Sequence, residues 1–188
     1  MTVADEHTKH HQHVQALYEE YLKDVKGVEV HAQPASGEYD SNYWLCTIVL
    51  DPQLKVKGQE NAYKTVVKGA VGGAAGVIHA ADSATTDCQP NDNVEAMRMG
   101  LDALGIESRP LWKPMHCQPV YKTDNFQVSS LEFQNDEVVC QTSEKSVAYI
   151  NGVSEALFKV GMCLPAGPCV TDEDVKFICD SIKSLLIP

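Results

Sequence analysis

Pro110, Pro114 and Pro119 fall inside one short run, Glu107 to Tyr121 (ESRPLWKPMHCQPVY), and limit what that stretch of chain is able to become. Each proline lacks a backbone N–H and holds φ near −65°, so the run fits neither a helix interior nor the middle of a sheet. The same run carries Arg109, Trp112, Lys113, His116 and Tyr121. Large aromatic and basic side chains on a proline-stiffened loop suit a binding surface, because little backbone entropy remains to be lost on binding. A second run, Asn151 to Gly167 (NGVSEALFKVGMCLPAG), punctuates an apolar stretch with Gly152, Gly161, Pro165 and Gly167.

Around these runs the patterning predicts discrete elements. Val14, Leu17, Tyr18, Tyr21, Leu22 and Val25 recur at helical spacing, so Asp5–Lys26 is predicted as an amphipathic helix ended by Gly27, with Lys23 and Lys26 at its C-terminal dipole. Val28–His31 reads as a short strand and 33–40 as a turn. Tyr43–Leu50, rich in aromatic and branched residues and stopped by Asp51-Pro52, reads as the strongest strand. Asn93–Leu104 is predicted as a helix with Val94, Met97, Leu101 and Leu104 inward, capped by Asp92 or Asn93 and closed by Gly105. Ile106–Leu111 is extended, since Pro110 demands it. A short helix over Ser154–Val160, capped by Ser154, a strand over Met162–Leu164 and a helix over Thr171–Leu186 complete the chain. Thr171 and Asp174 resemble a capping box. Strands and helices mix without βαβ alternation, so the fold class is α+β, a small mainly antiparallel sheet covered by helices. Strand 43–50 is expected at its centre, with helices 5–26 and 171–186 on one face.

Composition bounds the function. The 188 residues suffice for one core, and 44% hydrophobic with 22% charged residues is globular material. No apolar run approaches the roughly 20 residues of a membrane span, and Met1–Asp5 shows no signal-peptide pattern, so a cytoplasmic chain is expected. A formal net charge of −11 argues against nucleic acid or an anionic membrane as partner. An odd seven cysteines suggest free thiols, with Cys46, Cys163 and Cys179 as small core residues. No C-x-x-C pair occurs and no metal site is expected. Cys117 adjoins His116, but neighbours on an extended segment face opposite ways, which speaks against a nucleophilic pair. His7 and His11 are an i, i+4 pair with no third ligand nearby, and the Gly-rich stretch 68–77 lacks phosphate-loop spacing. Asp172, Glu173 and Asp174 suit a helix start rather than catalysis.

In the order Arg109, Pro110, Trp112, Pro114, Met115, His116, Gln118, Pro119, then Gly152, Ser154, Glu155, Leu157, Gly161, Leu164, Pro165, Gly167, the two runs resemble the C-terminal signature of the DegT/StrS sugar-nucleotide aminotransferases. The resemblance implies a fold like the C-terminal domain of fold-type I aminotransferases, spanning 1–188, with additions at about 55–91 and 122–150; period-2 apolar residues in the latter suggest a hairpin. It implies a full-length enzyme in which pyridoxal phosphate, held by a lysine, passes an amine from an amino-acid donor to a keto-sugar nucleotide, as in amino-sugar and cell-surface polysaccharide biosynthesis. Lys64, Lys68, Lys145 and Lys159 do not resemble the family's cofactor lysine, so the large cofactor domain is expected outside this chain, which would be inactive alone. By the same resemblance, His116, Trp112, Lys113 and Arg109 line the substrate side, Trp112 stacking on a ring and Arg109 and Lys113 meeting a diphosphate. An ion pair with a nearby acid is the plainer reading of Arg109. Family members are typically homodimers. The alternative from a different class is a standalone binding module descended from such a domain.

Overall fold

The computed structural model describes residues 2–63, 88–118, 121, 126–130, 133–134, 137–138 and 146–188. Its organising surface is the stripe of helix α1 (Thr2–Leu22), where Val14, Tyr18 and Leu22 are buried. That stripe packs on helix α4 (Asp172–Leu185), whose Val175, Ile178, Cys179 and Ile182 point into the same core. Both helices cover strand β2 (Cys46–Leu50), where Cys46, Ile48 and Leu50 enter the core while Thr47 and Val49 alternate to the other side.

Strand β2 lies inside a four-stranded antiparallel sheet of order β1-β2-β8-β3, formed with β1 (Val28–Val30), β8 (Gly161–Leu164) and β3 (Arg109–Pro110). Ile48 stands opposite Val30 on one side and Met162 on the other. All four residues of β8 are buried, as expected of a strand flanked on both edges. Pro110 explains the two-residue length of β3 and its place at the sheet edge, since a proline cannot donate to a further neighbour. Helix α2 (Asp92–Ala103) adds Val94, Met97 and Leu101 to the core and packs on α4. The α+β class, the central β2 and the shared face of α1 and α4 therefore match the sequence patterning.

Element ends differ for local reasons. Helix α1 begins at Thr2, where His10 Nε2 meets the Gly167 carbonyl at 3.1 Å and His13 Nε2 meets Asp172 Oδ1 at 2.8 Å. It stops at Leu22, so Lys23 and Lys26 lie past its last turn and Gly27 shapes the entry to β1, its carbonyl accepting from Asp51 N. Tyr43 and Trp44 are not in β2: Tyr43 has φ 43°, and the Asn42 side chain accepts from Trp44 N at 3.3 Å, a local turn that overrides their strand preference. Asn91, not Asp92 or Asn93, is the N-cap of α2. Asn93 is buried and donates to the Asp51 and Leu54 carbonyls at 2.9 and 3.2 Å. Leu104 lies outside the core and is exposed. Gly105, φ 78°, closes α2 as a Schellman motif, with Ile106 N bonding Leu101 O and Gly105 N bonding Asp102 O.

Helix α3 (Val153–Val160) is capped by Gly152 rather than Ser154, and Asn151 Oδ1 accepts from Val153 N instead. At the start of α4 the Thr171–Asp174 capping box is complete. Bonds from Thr171 hold the Asp174 carboxyl below the usual carboxylate range. Among the described residues between 122 and 150, the expected hairpin pairing is that of β5 (Phe133–Gln134) against β6 (Glu137–Val138). The longer strands there, β4 (Phe126–Ser130) and β7 (Ser146–Ile150), pair parallel. The Gly-rich stretch 68–77 and Cys140 lie outside the described residues.

Tyr18 tests how the core is tied to the second signature run. It is fully buried, and its hydroxyl donates to the Pro165 carbonyl at 2.8 Å. Tyr18→Phe leaves that carbonyl unpaired and is expected to cost about 1–2 kcal/mol of stability. The reading is a lower urea midpoint at unchanged slope; an unshifted midpoint would mean that this bond contributes nothing net.

Candidate functional site

The proline-rich run leaves β3 through Leu111, whose N–H bonds the Gly161 carbonyl at 3.1 Å. It then turns once over Met115–Cys117, with Cys117 N bonded to Pro114 O at 2.9 Å and Gln118 N to Met115 O at 3.0 Å. Gln118 Nε2 closes the loop on the Lys113 carbonyl at 3.2 Å. Anchored at both ends, the loop holds Trp112 outward at 65% exposure and Met115 at 64%.

Trp112 does not stand alone. Trp44, 62% exposed, comes from the turn before β2, and the two ring centroids lie 6.0 Å apart with planes tilted by 31°. Beside Trp44 a shallow cleft is lined by His31, Gln33, Pro34, Tyr43 and Thr47, among others. Gln33 shapes it, accepting from Ser41 N at 2.7 Å while its own N–H bonds Tyr43 Oη at 3.0 Å. Two neighbouring exposed tryptophans make a surface on which a flat ring can stack. Sequence reasoning missed Trp44 because its aromatic character was absorbed into the strand signal.

The other expected residues are placed differently. Arg109 is half-exposed and engages Glu107, which is 72% exposed, with Nε at 3.1 Å from Oε1. An exposed pair of this kind contributes little to stability and leaves Arg109 able to exchange partners. His116 is turned inward at 14% side-chain exposure, its Nε2 2.7 Å from Glu155 Oε1 on α3. That contact joins the two signature runs. Lys113 is half-buried in the same loop.

Beneath His116 a second, small cluster gathers Cys88, Cys117 and Phe158, with Leu111 against it. One atom each of Cys88, Cys117 and Glu155 lies within 4.8 Å of the others. Burial, the Cys88 thiol and the Glu155 charge push the Cys117 thiol up to about 11, so at neutral pH it is a protonated thiol and no ready nucleophile. Nothing in the spacing of the cysteines signals this grouping, because its members come from three separate segments.

The 26% identity to EpsN of Bacillus subtilis, provisionally named a pyridoxal phosphate-dependent aminotransferase, runs over 174 residues, 93% of this chain. A DegT DnrJ EryC1 StrS aminotransferase from Brucella abortus shares the fold at TM-score 0.52 and 20% identity, over 95% of this chain and 31% of its own. DesI, solved in the presence of its TDP-sugar product, aligns at TM-score 0.54 and 15% identity, over 96% of this chain and 31% of its own. This chain is similar in sequence to part of EpsN and shares its fold with part of a DegT DnrJ EryC1 StrS aminotransferase. It spans about 30% of the length of EpsN. No family model matches it.

Seen against those sugar aminotransferases, the described residues do not fit pyridoxal phosphate. A Schiff-base lysine works in a desolvated pocket. The described lysines are exposed apart from half-buried Lys113; Lys57 is spent on the Ser184 carbonyl and Lys176 on Asp180. Among the described residues no helix is long and apolar enough to cross a membrane.

Proposed function

We propose that this chain is the C-terminal, substrate-side domain of a pyridoxal phosphate-dependent aminotransferase acting on a keto-sugar nucleotide. The cofactor lysine lies in a larger domain outside it. The observation that carries the reading is the exposed Trp112 beside Trp44, held on the proline-locked loop of the run that resembles the aminotransferase signature. DesI, which shares this fold, was solved in the presence of its TDP-sugar product, which supports a nucleotide sugar as the ligand class.

In this reading Trp112 and Trp44 receive a ring, Arg109 leaves Glu107 for a phosphate oxygen, and Lys113 adds positive charge at the loop base. His116 fixes the loop against α3 through Glu155 and borders the pocket from below. The enzyme acts as a homodimer in the cytoplasm, takes its amine from an amino acid, and serves amino-sugar and surface-polysaccharide synthesis. The domain alone forms no internal aldimine and transfers no amine.

Two measurements test it. Mixed with pyridoxal phosphate and reduced with borohydride, the 188-residue chain is expected to give only scattered, substoichiometric lysine labelling. A stoichiometric adduct on one lysine would overturn the inactive-domain reading. In the full-length enzyme, His116→Ala is expected to lower sugar turnover about 10–100-fold, the range typical of a lost positioning contact, with the cofactor absorption band intact. Loss of that band in a folded variant would move His116 to the cofactor side.

A further inference from the structure

We propose that Cys88, Cys117 and Glu155 form a binding site for a thiophilic divalent cation of the zinc class, with His116 orienting the carboxylate. The site uses none of the exposed tryptophans and shares only the His116–Glu155 contact and the Cys117 turn with the sugar-binding reading, so cobalt binding tests it separately.

The donor set selects the ion. Two thiolates favour zinc over magnesium or calcium, which prefer all-oxygen shells, and a carboxylate completes a common mixed set. The three ligand atoms already lie within 4.8 Å of one another. Zinc bonds of about 2.3 Å to sulfur and 2.0–2.2 Å to oxygen give tetrahedral edges of about 3.5–3.8 Å, so closure asks for shifts of the order of 1 Å. Cys88 and Cys117 are 3% and 7% exposed, which excludes competing water from two sides. Glu155 is half-buried on the open side, giving an entry path, and the fourth position falls there to water.

The neighbours fit a ligand shell. His116 Nε2 lies 2.7 Å from Glu155 Oε1, the outer-shell contact that holds a ligating carboxylate in one orientation. A bound cation would replace the two thiol protons, which pass to solvent. Three segments become cross-linked: the stretch before α2, where Asn91 N bonds Lys159 O at 2.8 Å, the proline-rich loop, and α3.

The test is cobalt(II) titration of the reduced, metal-free 188-residue chain, followed by zinc displacement. The expected result is one cobalt per chain with tetrahedral visible bands and a near-ultraviolet thiolate-to-cobalt band, both erased by stoichiometric zinc. Cys88→Ser and Cys117→Ser are each expected to weaken the thiolate band and lower affinity about 100-fold or more, and Glu155→Gln and His116→Ala about 10–100-fold. Cys169→Ser, at an exposed thiol, is expected to change nothing. Cobalt held by the helix α1 histidines would lack the thiolate band. Melting gives a second reading if a serine variant folds poorly: zinc is expected to raise the parent's Tm, and Glu155→Gln, which keeps both thiols, to abolish most of that rise. The site is overturned by absence of the thiolate band at stoichiometric cobalt, or by its survival in both serine variants. A reduced chain that takes up no cobalt but closes a Cys88–Cys117 disulfide in air overturns it equally.

Discussion

Ile48→Ala is expected to remove about 2–5 kcal/mol of folding stability, the range for deleting most of a buried aliphatic side chain. Ile48 is fully buried at the middle of β2 and faces Val30 and Met162 across two ladders. Its neighbours on both sides are fixed by those ladders, and α1 and α4 already contact each other, so the cavity has little room to collapse. A loss of that size is a large part of the roughly 5–15 kcal/mol available to a typical domain. Urea unfolding reads it directly, with half-buried Val49→Ala on the same strand as the comparison. Equal losses at the two positions would show that the core is not centred on the α1–α4 side of the sheet.

Gly161→Ala is the second large effect, and its cause is crowding rather than a cavity. A Cβ at Gly161 would press on the Leu111 side chain, 2.8 Å from its Cγ, and sit 2.9 Å from the Leu157 carbonyl oxygen. The leucine can turn away; the carbonyl belongs to the last turn of α3 and must move with the helix. Overpacking of this kind costs about 1–3 kcal/mol. Because Leu111 begins the proline-rich loop, the disturbance should reach the Trp44–Trp112 pair and change tryptophan fluorescence in the folded state. Combining Gly161→Ala with Leu111→Ala is expected to make the two costs less than additive, since the clash with Leu111 vanishes while that with Leu157 stays. Strict additivity would show that Leu111 and an added methyl never meet.

Features written in local spacing were legible. The α4 capping box needs only Thr171 and Asp174, three residues apart, and the stripes of α1 and α4 repeat at helical period. The alternation in β2 also reads directly. Misreadings cluster where a side chain competes with backbone propensity. Asn42 captures Trp44 N and delays β2, while Asn93 leaves the capping role for two buried carbonyls. The loop that carries Trp112 and His116 was visible through its prolines, but its partners Trp44, Glu155 and Cys88 meet it through contacts distant in sequence. Glu155 stood in the second signature run; only the fold brings its carboxylate to His116.

The sheet order carries a consequence for biosynthesis. Strand β2 is flanked on one side by β8, and α1 packs on α4, so the first helix and an early strand find their partners more than a hundred residues later. Loop closure over such separations is slow relative to local pairing. On a translating ribosome α1 and β2 can pack on each other early, but the parts of their apolar faces that α4 and β8 cover stay open until Ile182 has emerged, which exposes the nascent chain to aggregation.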